Sequence, residues 1–186
     1  MKWLLILSSL VLAGCLSQSP APNIYVLNTP KTEVAASRIE RDLEIASPTA
    51  APGLETERIA LKQSSTSFDY FADSRWPSTL PEMVQSTLVR TIEQQGLVKS
   101  ASNDETGIAA DDILSITIQD FQAEYKDKGI APLIHITLSV KLSDAATQKV
   151  FGSFIVEESV QAEANSMEKI VAAFDAGFQK TLGKIT

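Results

Sequence analysis

Three stretches decide the fold: residues 113–121 read Ile-Leu-Ser-Ile-Thr-Ile-Gln-Asp-Phe, residues 133–142 read Leu-Ile-His-Ile-Thr-Leu-Ser-Val-Lys-Leu, and residues 150–160 read Val-Phe-Gly-Ser-Phe-Ile-Val-Glu-Glu-Ser-Val. In the first, Leu114, Ile116 and Ile118 fall on one face; in the second, Ile134, Ile136, Leu138 and Val140 do the same. Side chains of a strand alternate between its two faces, so this period of two predicts two half-buried strands. The third stretch sets Val150, Gly152, Phe154 and Val156 opposite Phe151, Ser153 and Ile155. Apolar residues on both faces predict a strand covered on both sides, hence one placed centrally in the sheet. Residues 126–132 and 143–149, charged and polar, connect the three.

Two helices flank this block. Ser78 or Thr79 can cap a helix, Pro81 suits its first turn, and Glu82 favours its N-terminal dipole. Leu80, Val84, Leu88 and Ile92 then recur every four residues beside Met83, and Gly96 stops the helix. A second helix is predicted from Ser166 to about Leu182, stacking Ile170, Phe174 and Phe178 with Val171 and Ala173 alongside. Upstream, residues 23–28, 43–46, 57–62 and 67–71 read as strands, the last two joined as a hairpin. Residues 48–53, with two prolines and a glycine, and the polar residues 100–107 read as loops. The expected architecture is α+β: a mixed or antiparallel sheet with two main helices packed on one face, in a single domain over residues 23–186.

Ahead of that domain, Lys2 precedes an apolar run from Trp3 to Leu12 that ends in Leu12-Ala13-Gly14-Cys15. A charged start, a short apolar stretch and small residues before a break predict a cleaved signal peptide over residues 1–14. The run is far short of the ~20 residues a membrane-spanning helix needs. Leu-Ala-Gly-Cys has the form of a bacterial lipobox, which makes Cys15 the expected lipidation site and new N-terminus. Residues 15–22 then form a lipidated start and a tether. At up to ~3.5 Å per residue the stretch from Leu16 to Pro22 reaches only about 25 Å.

Composition limits the remaining choices. The net charge is −7 over 186 residues, with Lys and Arg scattered, which argues against nucleic acid as a partner. Cys15 is the only cysteine; once lipidated it leaves no thiol for a disulfide or a thiolate metal site. His135 is the only histidine, without a Gly-x-Ser-x-Gly elbow to accompany it. It reads as a residue on the wetter side of a sheet, sharing a face with Thr137, Ser139 and Lys141. Asp111 and Asp112, being adjacent, point to opposite faces of a strand and read as a polar lead-in to 113–121. The glycines compose no phosphate-cradling loop. No catalytic residue, metal ligand or cofactor is therefore expected. Arg75-Trp76-Pro77 has two readings: Trp76 packs near the first turn of the helix it precedes, or Arg75 and Trp76, with Tyr70 and Phe71, form a docking patch of the kind enriched at binding hot spots. The phenylalanines at 174 and 178 read as core; the competing reading lines a groove for acyl chains with them, opposite Phe151, Phe154 and Val156.

The order of several short motifs resembles one known family. Tyr25-Val26-Leu27 comes first, then Gly53-Leu54-Glu55-Thr56-Glu57-Arg58-Ile59, Tyr70 and Arg75-Trp76. Ala110-Asp111-Asp112-Ile113-Leu114, Asp120-Phe121, Lys141-Leu142-Ser143-Asp144 and Val171-Ala172-Ala173-Phe174 follow. Together they resemble the ABC-type transport auxiliary lipoproteins, over essentially the whole mature chain. The resemblance implies no reaction. It implies a partner system: an ABC permease, its ATPase and a periplasmic MCE-domain protein, moving lipids between the two membranes of a Gram-negative envelope. The lipoprotein would be the docking piece at the outer membrane, facing the periplasm. Leu16 after the cysteine fits that side, since aspartate there is the usual signal for inner-membrane retention. Self-association into a homo-oligomeric ring matching an MCE assembly is a further expectation. Two other readings compete: a periplasmic lipid-binding chaperone, and an outer-membrane assembly lipoprotein.

Overall fold

The spine of the molecule is strand β7 (Asp112–Glu124), which antiparallel β8 (Leu133–Asp144) accompanies along its whole length. This computed structural model describes residues 21–186 except 31–33, 65, 108 and 128; the expected signal peptide, Cys15 and most of the expected tether lie outside the described residues. On the other side of β7, three parallel strands succeed one another. Strand β2 (Ile39–Ile45) pairs with residues 112–114, β3 (Thr49–Ala50) with 117–118, and β4 (Arg58–Ser64) with 122–124. The sheet therefore forks. One branch continues from β2 to parallel β6 (Val98–Asn103). The other runs from β4 through antiparallel β5 (Ser67–Arg75) to β1 (Asn23–Ile24). Strand β9 (Val150–Gln161) pairs with β8 alone.

Helices α1 (Leu80–Gln95) and α2 (Met167–Ile185) cover one face, α1 near β6 and β2, α2 across β8 and β9. Together with the mixed sheet this is the α+β architecture expected. Thr79 occupies the N-cap of α1, where its backbone N–H donates to Glu82 Oε2 at 3.1 Å, and Gly96 ends the helix at φ 65°. Left-handed backbone of this kind is strained for a residue with a Cβ, which is why glycine stands there. Gly177 has a different reason. A Cβ on it would lie 3.2 Å from Ile136 Cδ1 and 3.4 Å from Val160 Cγ2, so its bareness sets how closely α2 approaches β8 and β9.

A bulge decides which face of β7 reaches the core. The register steps from Ile118 opposite Leu138 to Asp120 opposite Thr137, so two residues of β7 meet one of β8. Leu114, Ile116 and Ile118 face the helices before the bulge, and Phe121 and Ala123 after it, all of them buried. Without that extra residue Phe121 would point to the opposite, polar face.

Four expectations require correction. The strand expected over 23–28 stops at Ile24, because the chain turns toward α2: the backbone N–H and the side-chain amide of Asn28 donate to Asp175 at 2.7 and 3.0 Å. The proline-bearing loop 48–53 contains β3, which fills the free edge of β7 between β2 and β4, with Thr49 Oγ1 and Thr117 Oγ1 3.1 Å apart. The polar stretch 100–107 contributes to β6 and a short 3-10 helix (Asp104–Thr106). Strand β9 is at the edge, not the centre; its apolar residues on two faces reflect exposure of both.

Candidate functional site

Of the residues proposed for docking, Tyr70 and Arg75 lie on one patch and Trp76 does not. Trp76 is 1 % exposed, and its ring meets Phe174 edge-on at 5.5 Å and Phe121 at 6.2 Å. Phe121 and Phe174 stack at 5.3 Å with an interplanar angle of 17°, and Phe178 closes the cluster against Phe121 at 5.7 Å. Trp76 thus pins the end of β5 to the helical layer and offers no surface to a partner. The same cluster answers the acyl-groove reading: Phe174 and Phe178 are completely buried among aromatic neighbours, whereas Phe151 and Phe154 stand exposed on β9.

What surrounds Tyr70 is a built surface feature. The Arg58 guanidinium carbon lies 3.8 Å from the centre of the Tyr70 ring, Phe68 meets that ring edge-on at 5.5 Å, and the Tyr70 hydroxyl donates to the Gly53 carbonyl at 2.9 Å. A cation over an aromatic face is attracted by the ring's negative face, and arginine favours this geometry. Gly53 makes room: its φ is 89°, and a Cβ there would fall 2.9 Å from Phe68 Cε1. The register places Arg75 opposite Arg58, although Tyr70 is opposite Ala60; β5 therefore loops out over residues 71–74, with Asp73 at φ 50°. The loop-out carries Arg75 back beside the patch. Arg75 Nη1 donates to Glu57 Oε2 at 3.3 Å, both side chains nearly half exposed. Arg58 and Arg75 are the cations of this surface, and Glu57, with Asp69 and Asp73 exposed on the same strand as Arg75, supplies carboxylates beside them. The sequence motif at 53–59 contained Gly53 and Arg58, but their partnership with Tyr70 depends on a hairpin register that periodicity does not give.

The other sequence candidates lie elsewhere. Asp112 accepts both Arg41 Nε and Nη2 at 2.6 Å, a bidentate pair at the start of β7, and Asp144 lies 3.6 Å from the same guanidinium. Asp111 accepts the backbone N–H of Asp42 at 2.9 Å. Asp42 in turn accepts from Lys99 Nζ and Ser100 Oγ, both at 2.6 Å, which hold its carboxyl below the usual carboxylate range. These contacts lock β2, β6 and β7 together at one end of the sheet, and sequence reading missed Arg41 because it lies seventy residues away.

His135 belongs to a polar network on the face away from the helices. Its Nδ1 is 3.1 Å from Ser159 Oγ and its Nε2 is 3.5 Å from Glu124 Oε2, while Lys62 approaches Glu124 at 3.5 Å and Asp120 at 3.6 Å. Hydroxyl, imidazole and carboxylate stand in the order of a hydrolase triad. They sit on three neighbouring strands, Glu124 on β7, His135 on β8 and Ser159 on β9. Lys62, Glu124 and His135 of the network line a cleft of about 530 Å3, which shares Gln63, Tyr125 and Lys126 with an adjoining cleft of about 410 Å3. Tyr125 donates to Asn165 Oδ1 at 2.8 Å, and burial pushes its phenol above the ordinary value. Among the described residues no cluster of His, Cys, Asp and Glu is placed to hold a metal, and no helix is long and apolar enough to cross a membrane.

Known proteins carry the same chain plan. A crystal structure of a Xanthomonas campestris protein superposes with a TM-score of 0.80 at 21 % identity, over 88 % of this chain and 91 % of that one, a likeness of fold. The intermembrane transport lipoprotein PqiC of Escherichia coli K12 is 28 % identical over 131 residues, covering 69 % of this chain and 70 % of PqiC. An uncharacterized protein of Bradyrhizobium diazoefficiens is 30 % identical over 164 residues, 87 % of this chain; the matched region spans only 43 % of that relative's length. The family model for the ABC-type transport auxiliary lipoprotein component matches residues 25–186, which takes in the Arg58–Tyr70 patch, every strand of the sheet after β1 and both helices. The chain belongs to the ABC-type transport auxiliary lipoprotein component family.

Proposed function

We propose that this protein, an auxiliary lipoprotein of a transport system, docks an MCE/ABC-type lipid transport assembly at the outer membrane, and that it acts by tethering. Acyl groups on Cys15 hold the body within about 25 Å of the bilayer on the periplasmic side, and two or more such chains give stable anchoring. The MCE-domain protein of the system, with its permease and ATPase behind it, is the partner. The reading is carried by one observation, the Arg58 guanidinium stacked at 3.8 Å on Tyr70 with Phe68 and Arg75 beside it. Arginine and tyrosine dominate binding hot spots, where they combine planar area with directed donors. A partner surface with carboxylates or free carbonyls matches the two guanidiniums.

The test is recovery of the envelope complex through a C-terminal tag. Co-purification of an MCE-domain protein is the expected result, and its absence refutes the reading. Arg58→Ala or Tyr70→Ala should lower recovery by about tenfold or more, the effect of ~1.4 kcal/mol or more at a hot spot. Undiminished recovery from both variants would remove the patch from the proposal. Cys15→Ser should abolish palmitate labelling and release the protein from the membrane.

A further inference from the structure

Among the described residues strand β9 has one edge without a partner, and its first half is apolar on both faces: Val150, Phe151, Phe154 and Ile155 are each about half exposed. Exposed edge strands are normally guarded by lysine, proline or an inward charge, because their free N–H and C=O groups otherwise template pairing. Between Val150 and Val156 there is neither a charge nor a proline. The apolar stretch itself has a bulge at Val150 and Phe151, where the register steps from Leu142 opposite Gly152 to Ser143 opposite Val150, and farther along the strand Lys184 Nζ donates to the Glu157 carbonyl at 3.4 Å. Charges appear only beyond the apolar stretch, Lys149 at one end and Glu157 and Glu158 at the other.

We propose that this edge pairs with the same edge of a second copy, antiparallel, about a two-fold axis at Ser153. Directly opposite residues of an antiparallel pair share a face, so a two-fold axis must pass through a residue and not between two. With the axis at Ser153, Val150 and Phe151 both meet Ile155 of the second copy, and Gly152 meets its Phe154. A Cβ on Gly152 would touch nothing within 4 Å, so open space stands where the second copy's Phe154 ring would lie. An aromatic ring over a cross-strand glycine is a favourable pairing. An axis at Gly152 would instead set Lys149 against Phe154, and an axis at Phe154 would set Phe151 against Glu157. Antiparallel pairing also brings the Lys149 end of each strand beside the Glu157 end of the other; parallel pairing would set Glu157 against Glu157, Glu158 being already held by Lys184 at 2.6 Å. The contact closes at two copies, so any larger ring needs another surface. The docking patch on β4 and β5 lies on the far side of β7 and stays free, and the pairing does not depend on that patch's role.

Cross-linking of the full-length chain in a Gram-negative envelope tests it. Ser153→Cys places two thiols across the axis, where facing Cα atoms ~4.5–5.5 Å apart lie within disulfide range. After mild oxidation most of this variant should run as a reducible homodimer, with the unsubstituted chain as the blank for Cys15. Ser159→Cys, on the same exposed face but off the axis, should stay monomeric. Adding Ile155→Glu, a change at an exposed position, should cut the Ser153→Cys dimer at least tenfold. A monomeric Ser153→Cys chain, equal cross-linking at Ser159→Cys, an unaffected Ile155→Glu double variant, or a cross-link to a different protein would each overturn the proposal.

Discussion

Replacing Trp76 by alanine separates core from docking surface. Its ring is 1 % exposed and makes edge-on contacts with Phe121 and Phe174, both buried. Truncating a buried Trp typically removes ~3–5 kcal/mol, and each aromatic pair contributes roughly 0.5–1.5 kcal/mol within that total. Since a domain is stable by only ~5–15 kcal/mol, Trp76→Ala should lose about a fifth or more of the folding free energy. Trp76→Phe keeps an aromatic contact and leaves a void on the order of 40 Å3, which at ~24 cal/mol per Å3 costs about 1 kcal/mol. Urea unfolding followed by far-UV circular dichroism measures both. The midpoint should fall steeply for alanine and slightly for phenylalanine, with an unchanged slope. If Trp76→Ala unfolded at the wild-type midpoint while losing its transport partner, the assignment of Trp76 to the core would be wrong.

Two further outcomes follow from the geometry. Gly53→Ala forces a Cβ into left-handed backbone at φ 89° and to 2.9 Å from Phe68; it should cost about 1–2 kcal/mol in urea, and Phe68→Ala in the same chain should recover part of that loss by removing the clash. Acid should weaken the fold in a defined direction. Lys99 and Ser100 hold Asp42 below the ordinary carboxylate value, Thr147 through its N–H and hydroxyl does the same for Asp144, and Lys169 does so for Glu163. Each binds its proton less readily folded than unfolded, so its stabilisation is complete above about pH 4, the unfolded value, and disappears as pH falls through the lower folded one. The urea midpoint should drop between pH 5 and pH 2, and Asp42→Asn should lower the midpoint at pH 7 while flattening the acid-side decline. An Asp42→Asn chain with the wild-type pH profile would refute the assignment.

The parts of the fold that periodicity could reveal were the long ones. Strands β7 and β8, the β4–β5 hairpin and both helices follow from apolar spacing, because each buries a continuous face. Strands β3 and β6 carry no such pattern: two residues between prolines, and Val-Lys-Ser-Ala-Ser-Asn, become strands only because β7 and β2 present open edges to them. For β9 the pattern was present but ambiguous, since apolar residues on both faces describe a buried central strand and a bare edge equally well. In the site, Tyr70 and Arg75 were legible as residue types. Arg58 was not singled out, because its stacking depends on where β5 loops out. Trp76 misled for a related reason: an aromatic beside an arginine fits a hot spot, but only tertiary packing shows that the ring points inward.

The fork in the sheet bears on how the chain matures. Strands β2, β3 and β4 rest against a single scaffold that begins at Asp112, so although β2 can meet β6 and β4 can form its hairpin with β5, the edge that each of the three turns toward β7 leaves the ribosome without its partner. Pairings this distant in sequence close slowly, and uncovered segments waiting for them are vulnerable to misassociation. The nascent amino-terminal half is thus obliged to wait on its own carboxy-terminal half. A holding chaperone has its clearest opportunity during that interval.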